Sequence, residues 1–233
     1  HKLDTAKIEI TAQKNIVEEK QKEILDSIAY ALRIQTAILP PQKIVKQHLE
    51  NSFILYKPKD IVAGDFYWME TVQLADERIS ELSKENKLKN NQLIIPSANQ
   101  LINSANQLIL FAACDCTGHG VPGAMVSVVC HNALNRAVRE FGLIEPAKIL
   151  DKTQEIVLEN FSKSEEDIKD GMDISLCALN FNKVQDFVKV ELQWAGANNP
   201  LWLIHNSEFI ETKADKQPIG MNEDSKAFTN HTF

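Results

Sequence analysis

The chain has 233 residues, of which 44% are hydrophobic and 24% charged, and a net charge of −7. That length can bury a sizeable core in one or two domains, and the acidic balance speaks against a nucleic-acid-binding surface. No apolar run approaches the roughly 18 residues of a membrane span, and the charged N-terminus lacks the apolar core of a signal peptide. The first residue is His1, not Met, so the expectation is a piece of a longer protein. Its four cysteines, Cys114, Cys116, Cys130 and Cys177, contain no C-x-x-C pair. Zinc and disulfide roles are therefore not expected, and a reducing, cytoplasmic setting is.

Residues 1–41 read as one long helix that Pro40-Pro41 ends. An apolar residue recurs every seven positions, at Leu3, Ile10, Val17, Ile24, Ala31 and Ile38, the period of a left-handed coiled coil. The second seam is polar at Lys7, Lys14 and Gln21 and turns apolar at Ile28, and Leu25, Leu32 and Leu39 add a further row only in the second half. The first half is thus expected to be a weak, adjustable coil. The second half is expected to pack on a globular domain or on a second copy. Ile10, Val17, Ile24, Ile28 and Ala31 are the candidate dimer positions. A solvated helix with one core-facing stripe is the competing reading.

The globular part is assigned to residues 42–233. Residues 52–56 (SFILY) read as a strand, broken by Lys57-Pro58-Lys59-Asp60, with Asp60 taken as a surface loop residue. Residues 66–69 (FYWM) form the next strand, which opens at Gly64-Asp65. Gly64 permits close backbone approach and leaves Asp65 at a strand start; taken alone, such a pair marks only a turn. From Gln73 to Gln107 the composition changes. Asn-Gln-Leu-Ile occurs three times, at 91–94, 99–102 and 106–109, twice within Ser-Ala-Asn-Gln-Leu-Ile. A low-complexity insertion over about 73–107 is expected, a mobile loop too short for a solenoid.

Residues 108–114 (LILFAAC) are a continuous apolar run, the pattern of a strand buried on both faces. Asp115 stands where it ends, and Cys116-Thr117-Gly118-His119-Gly120 makes a tight loop into a helix with Pro122 in its first turn. The helix carries Met125, Val126, Val128, Val129, Ala133, Leu134 and Ala137 on its apolar side and stops near Gly142. Gly118-His119-Gly120-Val121-Pro122-Gly123 matches the G-x-G-x-x-G dinucleotide fingerprint literally. That fingerprint needs a strand after the helix, whereas residues 146–161 have the spacing of another helix, so the βαβ unit fails. The Cys116 thiol is either reactive or simply a small tolerated side chain.

Beyond a charged loop at 162–169, residues 172–180 and 188–194 read as strands, and 201–204 pairs with a return at 209–210. Strands on both sides of a helix pair predict an α+β fold, a two-sheet sandwich with outer helices.

Five stretches, in order, carry a family resemblance. They are Tyr56-Lys57-Pro58 with Val62-Ala63-Gly64-Asp65-Phe66-Tyr67-Trp68, Asp115-Cys116-Thr117-Gly118-His119-Gly120, Asp170-Gly171-Met172-Asp173, Trp194-Ala195-Gly196-Ala197-Asn198-Asn199-Pro200-Leu201, and Gln217-Pro218-Ile219-Gly220. Together they resemble the metal-dependent PPM-type serine/threonine phosphatases, in their bacterial SpoIIE-type branch, with Asp115 to Gly120 matching the D-x-[ST]-G-H-G motif. The likeness runs from about Ile24 to Gly220. It implies a four-layer α-β-β-α sandwich and hydrolysis of a phosphoserine or phosphothreonine protein, of the anti-anti-sigma (STAS-like) regulator class. It also implies an N-terminal helix that dimerises and carries a signal from an upstream sensor, which makes this the cytoplasmic part of a sensor, membrane-anchored or not.

The resemblance further implies two divalent ions, Mn²⁺ or Mg²⁺, which activate a water and clamp the phosphate oxygens; carboxylate and carbonyl ligands suit both metals. Asp115 would bridge them, Asp65 would bind one, and the Cys116 backbone carbonyl would be a further ligand. His119 would either hold a water or phosphate oxygen or make a structural bond within the loop. Gly64, Thr117, Gly118 and Gly120 would shape the loops. Asp173 stands where relatives have Thr and would support the site, and Asn198 would shape a turn near the substrate entrance. Ala197 takes the place of a histidine found in many relatives. The family pattern continues past Gly220 with a Thr-Asp-Gly motif and a second acidic motif, each with a metal-binding Asp. Neither occurs here, so the domain is expected to be C-terminally incomplete and not fully active by itself. The rival expectation is a non-catalytic interaction or dimerisation module on the same fold.

Overall fold

The computed structural model describes residues 2–74, 107–162, 169–184, 187–222 and 224–233. The expected insertion over 73–107 and the charged loop at 162–169 lie almost wholly outside these residues.

Helix α1 (Lys2–Ile38) runs unbroken for 37 residues, about 55 Å at the usual helical rise, and stops ahead of Pro40-Pro41. Its early heptad positions are open to solvent: Leu3, Ile10, Val17 and Ile24 are 86%, 66%, 63% and 59% exposed. Ile28 and Ala31 are half-buried, Gln35 is buried, and Leu39 packs against the core. The expected docking of the helix's second half thus begins at Ile28 and is tight only at the last turn; Leu25 and Leu32 remain exposed.

A short helix α2 (Gln42–His48) follows, with Val45 buried. The strand expected at 52–56 is not formed. These residues have no ladder partner among the described residues, and Phe53 and Leu55 are almost fully exposed. Alternating apolar residues give a strand only where a neighbour accepts and donates its backbone hydrogen bonds.

The main sheet is antiparallel and five-stranded, ordered β1 (Phe66–Gln73), β2 (Gln107–Cys116), β3 (Met172–Val184), β4 (Phe187–Ala197), β7 (His231–Thr232). A separate two-stranded sheet pairs β5 (Leu201–His205) with β6 (Glu208–Thr212). The register places Phe66 opposite Cys114, Cys114 opposite Ile174 and Ile174 opposite Ala197, with Trp68, Ala112, Leu176 and Ala195 forming the next row. Because side chains alternate along a strand, these rows share one face, and that face is the floor of the hydrophobic core.

Helices α3 (Gly120–Arg139) and α4 (Pro146–Phe161) cover that floor. On α3, Val126, Cys130, Ala133, Leu134 and Ala137 recur at helical spacing and are buried. Trp68 anchors the contact, as its indole N–H donates to Asn135 Oδ1 at 2.9 Å. On α4, Ile149, Leu150, Ile156 and Val157 are buried, and Pro146 occupies the first turn, where its missing N–H costs nothing. The mixed helix and antiparallel sheet architecture, behind a long N-terminal helix, is the expected α+β class. No helix among the described residues is long and apolar enough to cross a membrane.

Candidate active site

The antiparallel register carries the aspartates into one row. Phe66 pairs with Cys114, so Asp65, one residue earlier, faces Asp115, and Asp115 itself pairs with Asp173. On the next strand Ala197 pairs with Ile174, which brings Asn198 beside Asp173, and the Asn198 Nδ2 donates to Asp173 Oδ1 at 2.8 Å. Cys114 and Cys116 point into the helix-covered core, so the intervening Asp115 projects from the opposite face. Strand β2 extends to Cys116; Asp115 therefore lies within it and not past its end, paired with Asp173 in the ladder to β3.

Two loops close over the end of this row. Gly64 lies against the strand end so tightly that a β-carbon there would fall 2.6 Å from the Gly118 carbonyl oxygen and 2.9 Å from that of Cys116. The Thr117 hydroxyl donates to Asp170 Oδ1 at 2.7 Å and accepts from the Gly171 N–H at 3.2 Å, which fastens the loop after β2 to the turn before β3. That turn is anchored in its own right, because Met172 and Ile219 exchange two backbone hydrogen bonds of 2.8 Å. Asp60 is the surface loop residue expected, and its Oδ2 lies 2.8 Å from the His119 Nδ1, which fixes the ring of the residue just before α3. The Tyr56 hydroxyl donates to the Asp65 carbonyl oxygen at 3.2 Å.

The electrostatics follow from the crowding of carboxylates. Partial burial, a hydrogen bond with Asp65 and the Asp65 charge together hold the Asp115 carboxyl above the usual carboxylate range. Two carboxyl groups in contact repel when both are ionised, and one of them resists giving up its proton. Beneath them, Cys116 and Cys130 share a hydrogen bond that, with burial, pushes the Cys116 thiol far up. The reactive reading of Cys116 is thereby corrected: the side chain is buried packing, and only its backbone faces the site.

The pair fits a hard divalent cation. Its side-chain donors are carboxylate oxygens, and the neighbouring cysteines point into the core, which is the donor chemistry of Mg²⁺ and Mn²⁺. The fit is partial. Among the described residues no three His, Cys, Asp or Glu side chains converge on one point as a ligand cluster. Of the residues singled out in the sequence, Asp65, Asp115, Asp173 and Asn198 form the row, Gly64 belongs to the first of the segments that close over it, and Cys116, Thr117, Gly118, His119 and Gly120 run from the end of β2 to the start of α3 as the second. The candidate dimer positions are remote from it, on α1. Gln35 was not foreseen. It is the next position of the second seam, seven residues after Ile28, but its polar side chain reads there like Gln21 earlier in the same row, and its exposed neighbours Ile34 and Thr36 give no further sign.

The family model described as Stage II sporulation protein E (SpoIIE) matches residues 106–233. Comparison with curated proteins gives no match. Among solved structures, the SiaA-PP2C domain of Pseudomonas aeruginosa superposes with a TM-score of 0.61 at 29% identity, covering 91% of this chain and 68% of that one. The PP2C phosphatase domain, with a fragment of the regulatory domain, of the cell fate determinant SpoIIE from Bacillus subtilis gives 0.39 at 13% identity, covering 98% and 72%. With its model matched over more than half of the chain, the protein belongs to the SpoIIE family, and its globular part is a PP2C-type phosphatase domain.

Proposed function

We propose that the site hydrolyses the phosphate ester of a phosphoserine or phosphothreonine protein, with Asp65, Asp115 and the Cys116 carbonyl holding Mn²⁺ or Mg²⁺. When bound, such ions lower the pKa of a water and neutralise phosphate charge. The chain's own residues prepare for this in three ways. Asp65 and Asp115 place two like charges in contact, which a cation relieves. Asn198 fixes the Asp173 carboxylate in the same row. Asp60 holds His119 by Nδ1, leaving Nε2 as the nitrogen for a water or a phosphate oxygen. The substrate class that fits the family resemblance is a small STAS-like regulator. The exposed apolar seam of α1 supports a homodimer, a cytoplasmic output part that takes its signal from an upstream sensor domain.

The observation that carries this reading is the strand register that brings Asp65 beside Asp115 and pairs Asp115 with Asp173 in one row of the sheet. Hydrolysis of a phosphoserine peptide by the whole chain, with and without Mn²⁺, tests it beside Asp115→Asn. Turnover that needs Mn²⁺ and is lost in the variant is expected. The partial donor set among the described residues favours a second reading, a non-catalytic interaction module. Folded protein that stays silent with Mn²⁺ present would establish that one instead.

A further inference from the structure

Helix α1 is solvated along most of its length, yet Gln35, near its end, is only 3% exposed. Among the described residues of that helix it is the one buried position. Burying an amide costs free energy unless both its ends are paired, and here both are. The Gln35 Nε2 donates to the Ala63 carbonyl at 2.6 Å, and the Ala63 N–H donates to Gln35 Oε1 at 3.1 Å. The same Nε2 donates to the Ser127 hydroxyl at 3.0 Å, and that hydroxyl donates in turn to the Ala124 carbonyl in the first turns of α3. One side chain therefore ties the segment just before Gly64-Asp65 to α3, the helix that opens at Gly120 directly after His119.

Ala63 has little slack to pass on. A β-carbon on Gly64, next in the chain, would fall 2.6 Å from the Gly118 carbonyl oxygen and 2.9 Å from that of Cys116, and Asp65 follows at once, set beside Asp115 by the β1–β2 register. A shift of Ala63 moves Asp65 relative to Asp115, because the intervening residue cannot absorb it. The glutamine adds a polar tie to the apolar one made where Ile28, Ala31 and Leu39 are half-buried, while the early heptad residues of α1 stand in solvent.

We infer that Gln35 is a positioning residue: through its paired bonds to Ala63, the end of α1 sets Asp65 against Asp115 and so governs the cation affinity of the site. The inference rests on the phosphatase reading, in which Asp65 and Asp115 hold the metal. Loss of a group bonded directly to a metal ligand weakens binding by about 10–100-fold; Gln35 reaches Asp65 through the backbone of Ala63 and Gly64, one step further out.

Calorimetric Mn²⁺ titration of the whole chain tests it, with Gln35→Leu, Gln35→Glu and Asp115→Asn alongside. Gln35→Leu removes both bonds to Ala63 and is expected to weaken Mn²⁺ binding by about tenfold or more. Gln35→Glu keeps an acceptor for the Ala63 N–H and should fall between the two. Phosphate-ester hydrolysis by either variant should recover at saturating Mn²⁺, a rescue that a merely structural defect would not give. Wild-type affinity in the folded Gln35→Leu protein overturns the inference. If that variant does not fold, wild-type affinity in Gln35→Glu overturns it equally. A wild-type chain that binds no Mn²⁺, or Asp115→Asn binding as well as wild type, removes the phosphatase reading itself. Wild-type binding that Gln35 substitutions leave intact removes only the role of Gln35.

Discussion

A methyl group on Gly64 would meet two backbone oxygens, those of Gly118 and Cys116, well inside van der Waals contact. Neither can turn aside as a side chain would, so Gly64→Ala must push the Asp65 segment off the β2 end. Overpacking of this kind costs about 1–3 kcal/mol. Thermal melting should register that loss, and Mn²⁺ titration should register a larger proportional loss than the melting shift would suggest, because the displaced residue is next to Asp65. Equal Mn²⁺ affinity in the two proteins would mean that the close approach serves packing alone. At this scale the sequence was legible where a residue type and its spacing carried the chemistry: Asp65 and Asp115 stand in motifs. It was not legible where the partner lies far along the chain. The Asp60 to His119 bond spans two loops, and the Gln35 bonds join a helix to a turn 28 positions away. No local pattern marks the first, and for Gln35 the heptad row gives its place on the helix but not its partners.

Elements differ in how much of their placement is local. The bounds of α4, Pro146–Phe161, follow from a proline at its start and helical apolar spacing, and the sequence reading matched them. Strand existence was readable in β1 to β6, whereas the register that aligns Asp65, Asp115 and Asp173 depends on how separate segments pair. Residues 52–56 mark the opposite limit, with strand-like composition and no partner. Element-level anchoring is concentrated in Gln154 of α4. Its Nε2 donates to the Gly220 carbonyl at 3.0 Å, and its Oε1 accepts from the Gly220 N–H at 2.9 Å, all in buried surroundings. Gly220 follows Ile219, which pairs with Met172 at the head of β3, so this clamp ties the Gln-Pro-Ile-Gly segment to the helical layer. Gln154→Leu leaves both Gly220 backbone groups unpaired, at about 1–3 kcal/mol each. Urea unfolding should show a midpoint lowered accordingly with an unchanged slope. A midpoint within error of wild type would mean that water or a shifted backbone replaces the bonds.

At the scale of the whole molecule, the unresolved balance is between the globular part and the long arm in front of it. A 37-residue helix with Leu3, Ile10, Val17 and Ile24 exposed in one heptad row leaves apolar area that a second copy would cover, at about 25 cal/mol per Å² removed from water. The early second seam, with Lys7, Lys14 and Gln21, keeps such a coil weak, because apolar residues at both seam positions are what stabilise it. A weak coil suits an arm whose last turn holds Gln35: pairing far out on the helix would alter the helix end without an obligatory, permanent lock. Val17→Asp with Ile24→Asp tests this, since both side chains are exposed in the single chain and surface changes of that kind usually alter its stability by no more than about 0.5 kcal/mol. Sedimentation should find the wild-type chain in a concentration-dependent monomer–dimer equilibrium and the double variant monomeric, with melting of the globular part unchanged. Mn²⁺-dependent hydrolysis should change with concentration in the wild type and not in the variant. Identical sedimentation of the two proteins would refute dimerisation through this seam. Lost dimerisation with identical hydrolysis at every concentration would separate assembly from control of the site.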